Sequence, residues 1–402
     1  MNKDKSVILV IFGVSGDLST RYLLPAISQI AGANMLPKNF HIVGITRQSG
    51  LELSSILGEN NNSYIESRMS IFQMDVNNAD DYKKLDEYLN GVEKKFDSDA
   101  EQLFYLSVPS QAVLNIARFL GEALSDKVSQ VKLLLEKPFG VDLESAKNLI
   151  KHIDQYFKAE QIYMIDHYLA KKAARDIVSY RTDEVLFEET LDKDFVEKIE
   201  VVVSEKIDVQ GRADFYEQTG ALKDMIQSHL IELASLILMK LPSNKEQAEI
   251  SSLRLEALKN LSIESVRYGQ YENYKEETRN HKTKVETFVS VVLKSIDSRW
   301  TGVPIILTTG KALDSKFSEI KISYKKNKEE KKFNILGEAY SNILLGCIDG
   351  DHSLFVSKEE VLESWRILDT AQKDWKESKD NLIIYKKGST IGEILSKDNG
   401  HK

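Results

Sequence analysis

Seven residues near the start, Ser6–Phe12 (SVILVIF), form a continuous apolar, β-branched run that stops at Gly13-Val14-Ser15-Gly16-Asp17. A strand with no polar alternation must be covered on both faces, which is the condition of a parallel strand in a helix-covered sheet. A helical pattern follows from about Ser19 to Ala33, then a second strand at His41–Thr46 (HIVGIT). Leu103–Val108 and Val131–Leu135 read as two more strands, separated by helical stretches. Strand and helix alternating in this way predict a doubly wound α/β domain over residues 1–165.

Beyond residue 165 the rhythm changes. Ala170–Tyr180 and Ala221–Leu241 read as helices. Glu197–Ile207, Val285–Lys294, Pro304–Thr309 and Glu319–Tyr324 read as strands. The predicted fold is therefore an N-terminal Rossmann-type doubly wound domain (1–165) followed by a larger α+β domain with a mainly antiparallel sheet (166–402). The polar stretch Gln270–Lys284 is expected to be a loop, and the charge run Lys325–Lys332 a solvated surface. The tail from Ser396 is expected to fray.

Bulk properties exclude several functions. A chain of 402 residues with net charge −8 has no general attraction for nucleic acid. Its one cysteine, Cys347, precludes an intrachain disulfide and argues against a cysteine-based zinc site, as in a reducing compartment. Met1–Lys5 is polar and charged, unlike a signal peptide, and no apolar stretch is long enough to span a bilayer. The expectation is a cytoplasmic protein with neither nucleic acid nor membrane as partner.

The glycine turn suggests a nucleotide. Gly13 and Gly16 lie between a strand and a helix, where backbone can approach a pyrophosphate and a helix N-terminus favours its charge. The spacing is GxxG rather than GxGxxG, so an ordinary strand-to-helix turn explains it equally well. The end of the second strand adds to the case. An NAD site places an acidic residue there; this chain has Thr46-Arg47-Gln48, and an arginine pairs with a 2′-phosphate. That favours NADP and leaves NAD possible, against the alternative of a solvated surface arginine.

Three clusters carry candidate chemistry. Glu136-Lys137-Pro138-Phe139-Gly140 follows a strand; the residue before proline is held extended, so Lys137 stands at a carboxyl end of the sheet. Asp166-His167-Tyr168-Leu169-Ala170-Lys171 gathers acid, imidazole, phenol and ammonium near a helix start. His167 and Lys171, four apart, would share a face if the helix begins that early, and two donors on one face suit a phosphate. The plainer alternative is Asp166 as a cap with solvated neighbours. Asp224–His229 (DMIQSH) lies on an otherwise apolar helix. A lone histidine there is an ordinary core residue, yet an imidazole paired with a carboxylate also suits proton removal near neutral pH.

Taken together, the segments resemble the glucose-6-phosphate dehydrogenase family. The match is co-linear through FGVSGDL (Phe12–Leu18), GITRQ (Gly44–Gln48), EKPFG (Glu136–Gly140), DHYLAK (Asp166–Lys171) and DMIQSH. It continues in WTGVPIILTTGKAL (Trp300–Leu313), GEAY (Gly337–Tyr340) and FVSKEEVLESW (Phe355–Trp365). The resemblance implies that His229 is the general base for the C1 hydroxyl proton and Asp166 its orienting carboxylate. It implies a sugar-phosphate site of His167, Tyr168 and Lys171 with Lys316 as a further cation, and sugar-hydroxyl contacts from Glu205, Asp224 and Lys311. Gly13, Ser15, Gly16, Asp17, Leu18 and Arg47 would bind the coenzyme, with Lys137 between coenzyme and substrate. The implied reaction converts glucose 6-phosphate to a 6-phosphogluconolactone with NADP as hydride acceptor and no metal, the first step of the oxidative pentose phosphate pathway. A homodimer or homotetramer is expected.

The chain departs from the family pattern at Ser228 (usually Asn), Ala170 (usually Gly), Tyr22 (usually Lys) and Arg181-Thr182, where a longer motif is only partly kept. Two rivals follow. One is another sugar dehydrogenase of Gfo/Idh/MocA type, which also carries an EKP motif. The other is a non-catalytic sensor of sugar phosphate or NADP.

Overall fold

The structure is a computed structural model, and it describes residues 4–58, 63–96, 98–125, 130–242, 247–326, 329–377 and 382–397. The chain divides into two compact units. The first comprises 1–140, 144–170 and 338–358; the second comprises 141–143, 171–337 and 359–402. The sequence boundary at 165/166 thus misses one return of the chain: residues 338–358 belong with the first unit. The physical reason is burial, because Ile343, Leu344, Cys347 and Phe355 share one apolar cluster with Val7, Leu9 and Ile11.

The first unit is built on strands β1 (Ser6–Phe12), β2 (Asn39–Thr46), β3 (Met69–Gln73), β4 (Ala100–Leu106), β5 (Val131–Leu135) and β6 (Ile162–Ile165). They lie in the order β6-β5-β4-β1-β2-β3, all parallel, with the short strand Phe355–Val356 antiparallel beyond β6. This is the doubly wound arrangement, with its switch point where β1 lies between β2 and β4. Every residue of β1 is buried. Successive side chains serve opposite faces: Val7, Leu9 and Ile11 enter the cluster just named, while Phe12 stacks toward Tyr82 and Phe104.

The second unit holds β7 (Val196–Ser204), β8 (Leu261–Tyr271), β9 (Phe288–Ser295), β10 (Ile305–Gly310), β11 (Phe317–Tyr324) and β12 (Glu330–Asn334). Their order is β12-β11-β7-β10-β9-β8, with Leu382–Tyr385 parallel beyond β8. The pairing is mainly antiparallel, with β7 and β10 parallel. The helix Leu222–Leu238 packs on β7 and β10. Its second half, IELASLIL, is buried on all sides, as an all-round apolar helix must be. The one charge there, Glu232, lies 3.8 Å from the buried Arg254 guanidinium, which also binds Glu360 at 2.7 Å.

Gln270–Lys284 is not wholly loop. Gln270 and Tyr271 end β8, and Tyr274–Glu277 forms a helical turn. The charge run is partly strand, with Lys331 over the Tyr180 ring at 3.7 Å; residues 327 and 328 of that run, and residues 398–402 of the expected frayed tail, lie outside the described residues. Among the described residues no helix is long and apolar enough to cross a membrane.

Candidate active site

In the first unit the glycine turn sits at the switch point. Gly13 has φ +77°, and a Cβ there would fall 2.3 Å from the Ser107 carbonyl oxygen, so only glycine lets the turn close against the end of β4. The turn is tied by Gly16 N–H to Gly13 O at 2.9 Å, by Ser19 Oγ to Gly13 O at 3.0 Å and by Thr20 Oγ1 to Gly16 O at 3.1 Å. Ser15 and Asp17 are exposed and Leu18 is half-buried. Asp17 lies 3.4 Å from Arg21 one turn on, an exposed pair that adds little. Arg47 is exposed just past β2, its carbonyl accepting from Gln73 Nε2 at 3.4 Å. A glycine turn at the switch point is where sheets of this kind bind a dinucleotide.

The strand ends beyond the turn carry further groups of the first unit. Glu136 and Lys137 follow β5, and the Lys137–Pro138 peptide is cis. Asp166 follows β6 and is buried; its Oδ1 accepts the N–H groups of Tyr168 and Leu169, each at 2.9 Å. The reading of Asp166 as a helix cap with solvated neighbours does not hold: its carboxylate ties a turn, the helix cap position is Lys171, and Leu169 and Ala170 are buried. Nor does the shared helix face. Residues 167–170 form a turn, and the helix starts at Lys172 after an extended Lys171 (ψ 143°). The bonds to the Asp166 carboxylate fold the chain into that turn before a helix can begin. His167 approaches Glu136 Oε1 at 3.6 Å and meets the Tyr340 ring edge-on at 4.7 Å. Tyr340 in turn stacks on Tyr22 at 5.4 Å. Burial lifts the Glu136 carboxyl to about 7, against the opposing hydrogen bond from Tyr105 and the charge of Lys137.

In the second unit, His229 is buried at 6 % exposure on Leu222–Leu230, a π-helical segment, with Asp224 half-buried. The wider turn matters. In an α-helix residues five apart diverge by about 140°; the i→i+5 register brings Asp224 and His229 closer to one face. Ser228 Oγ reaches back to Asp224 O at 3.5 Å. The start of this segment is held by Glu286, whose carboxylate accepts Leu222 N–H at 3.0 Å. Gly220, at φ +64°, makes room for it, since a Cβ would lie 2.4 Å from Glu286 Oε1.

Lys311 binds Glu205 at 2.5 Å and stands 5.3 Å from the Tyr216 ring centroid. Burial, then the charges of Asp224, Glu286 and Glu205, push the Tyr216 phenol well above its ordinary range, so it stays neutral. The Lys311 loop is itself fixed: Tyr385 Oη donates to Lys311 O at 2.7 Å, and Ala312 takes φ +54°, a region β-carbon residues rarely adopt. Lys171 Nζ donates to Ile335 O at 3.3 Å, and Lys316 is exposed. The structure thus joins Glu205 with Lys311 and places Asp224 and His229 on one helix. Sequence reading missed Tyr216 and Glu286, because an aromatic and an acid in polar surroundings give no spacing signal. Among the described residues, no group of three His, Cys, Asp or Glu side chains could hold a metal ion.

Comparison with known proteins resolves the family. Residues 10–176 match "Glucose-6-phosphate dehydrogenase, NAD binding domain", and 178–336 with 326–397 match "Glucose-6-phosphate dehydrogenase, C-terminal domain". The chain belongs to the glucose-6-phosphate dehydrogenase family. It is 30 % identical to the glucose-6-phosphate 1-dehydrogenase of Borreliella burgdorferi, over 98 % of each chain. It is 29 % identical to that of Chlamydia muridarum, over 97 % of this chain and 95 % of the relative. A solved glucose-6-phosphate dehydrogenase in complex with its substrate has the same fold, with TM-score 0.88 at 23 % identity, covering 99 % of this chain and 98 % of that one. The rival assignment to the Gfo/Idh/MocA group falls, since both parts of the chain match this family. As a family member the chain is an oxidoreductase.

Proposed function

We propose that this chain oxidises D-glucose 6-phosphate at C1 to 6-phospho-D-glucono-1,5-lactone, with NADP as the preferred hydride acceptor. The observation that carries the reading is a buried imidazole on a widened helix that also carries Asp224, in a chain of this family. Bound NADP supplies the hydride acceptor. The rest of the chemistry is the chain's own. As hydride leaves C1, the hydroxyl proton passes to His229, and C1–O becomes the lactone carbonyl. Asp166 serves as the orienting carboxylate, stabilising the imidazolium. Its two backbone N–H bonds hold it in place at no cost at the moment of reaction.

His167, Tyr168, Lys171 and Lys316 bind the sugar phosphate. The phosphate does not react, so this binding energy positions C1. Glu205, Asp224 and Lys311 take the sugar hydroxyls, with Lys311 steered by its pair with Glu205. Gly13, Ser15, Gly16, Asp17, Leu18 and Arg47 hold the coenzyme, and Lys137 stands toward both ligands. The protein would act as a homodimer or homotetramer in the cytoplasm, which sedimentation and fractionation test.

Mixing the protein with glucose 6-phosphate and NADP or NAD, and following nicotinamide reduction, tests the reading. NADP should be used at lower concentration than NAD. Tight binding of both ligands with no reduction would instead identify a sensor.

A further inference from the structure

The strand-end cluster of the first unit contains a carboxyl that no step above uses. Glu136 has a side chain only 10 % exposed, at the end of β5. Tyr105 Oη, fully buried on β4, donates to its Oε1 at 2.5 Å. The same oxygen lies 3.6 Å from His167 Nε2, and the Tyr340 ring meets the imidazole edge-on at 4.7 Å. The imidazole thus has an anchored carboxyl and an aromatic ring as neighbours.

We infer that Glu136 is a positioning residue for sugar-phosphate recognition: fixed by Tyr105, it orients His167 and favours its cationic form toward the phosphate. This rests on the reading of His167 as a phosphate ligand. A buried carboxylate within ion-pair reach favours the charged form of an imidazole, and a cationic imidazole binds a phosphate dianion more strongly than a neutral one. An anchored partner also lowers the ordering cost of presenting the ring.

The groups facing Glu136 are few. Tyr105 comes from β4, Lys137 from its own strand end and Asp166 and His167 from the turn after β6; Tyr340 comes from the helix Tyr340–Asp349. Tyr340 also faces Tyr22 and Glu338, and Tyr105 faces Cys347. Burial, and less so Asp166, oppose the ionised carboxyl, while the Tyr105 hydrogen bond and Lys137 favour it, leaving it to change charge at about 7.

The test compares wild type with Glu136→Gln and His167→Asn, using glucose 6-phosphate and unphosphorylated glucose as substrates across pH 6–9. For Glu136→Gln the preference for the phosphorylated sugar, as a ratio of kcat/KM values, should fall about tenfold. The loss should appear in KM with kcat nearly unchanged, and the rise of KM with pH should begin about one unit lower. A purely structural role would depress both substrates alike and leave the pH profile in place, which overturns the inference. Should Glu136→Gln fail to fold, Tyr105→Phe, which frees the carboxyl from its anchor, should give the same change at roughly a third of the size; an unchanged ratio there also overturns it. If His167→Asn loses preference and Glu136→Gln keeps it, the inference alone falls. If His167→Asn also keeps it, the phosphate reading of His167 falls with it.

Discussion

The two units hold their functional groups by different means. In the first, backbone does the work: a glycine turn closes on the Ser107 carbonyl, and the Asp166 carboxylate is pinned by two main-chain N–H groups. In the second, side chains do it: Glu286 holds the start of the His229 helix, and Glu205 aims Lys311. The difference teaches where each unit is vulnerable. Adding an atom to the first should damage folding and coenzyme binding, whereas removing a head group from the second should damage turnover and leave the fold intact.

The sharpest contrast comes from His229→Asn. It should lower kcat by about 10²–10⁴-fold, the usual worth of a positioned proton acceptor, while glucose 6-phosphate affinity by calorimetry stays within a few-fold. A matching loss of affinity would assign His229 to ground-state binding. Gly13→Ala should act in the opposite way. Its Cβ meets backbone at 2.3 Å at φ +77°, so a drop in stability of about 3 kcal/mol or more and loss of NADP binding are expected from chemical denaturation and fluorescence titration.

Glu136 gives the first unit a pH signature. Burial raises its carboxyl in the folded state from the ordinary 4.5 to about 7. The folded chain therefore holds the proton more tightly, and this contribution is complete below about pH 4.5. It declines as pH rises and is lost past pH 7, by at most about 3 kcal/mol. Urea midpoints of wild type and Glu136→Gln should accordingly diverge between pH 5 and pH 8, wild type losing more. Parallel curves would break the account of this carboxyl.

Smaller effects separate the two ligands. Lys171→Ala should raise KM for glucose 6-phosphate by about 10–100-fold, the worth of one charge-assisted bond, with NADP affinity unchanged. Arg47→Ala should raise KM for NADP by about tenfold and leave that for NAD unchanged, because only the 2′-phosphate loses a partner.

The legibility of the sequence follows the same division. β1 could be read directly because a strand covered on both faces is apolar throughout, and β5 is broken only by Lys132. β8 was missed because the middle of LSIESVRYGQY, Ser262–Arg267, is wholly or partly exposed, with burial only at Leu261 and over Tyr268–Tyr271. The return of residues 338–358 was hidden for another reason: burial of Ile343 and Cys347 against Val7 and Leu9 is a long-range contact with no local period. Candidate site residues within motifs, such as Asp166 and His229, could be picked out by resemblance. Their supports were not, since the i→i+5 register of Leu222–Leu230, the room Gly220 makes for Glu286, and the Tyr105–Glu136 bond all depend on tertiary packing.

The central claim, that this chain removes hydride from C1 of a phosphorylated sugar, is tested most directly with glucose 6-phosphate deuterated at C1. With NADP present, deuterium should appear in the reduced nicotinamide, one atom per turnover, with a slowed rate if hydride transfer limits it. Reduced nicotinamide without deuterium, or both ligands bound and no reduction at all, would contradict it.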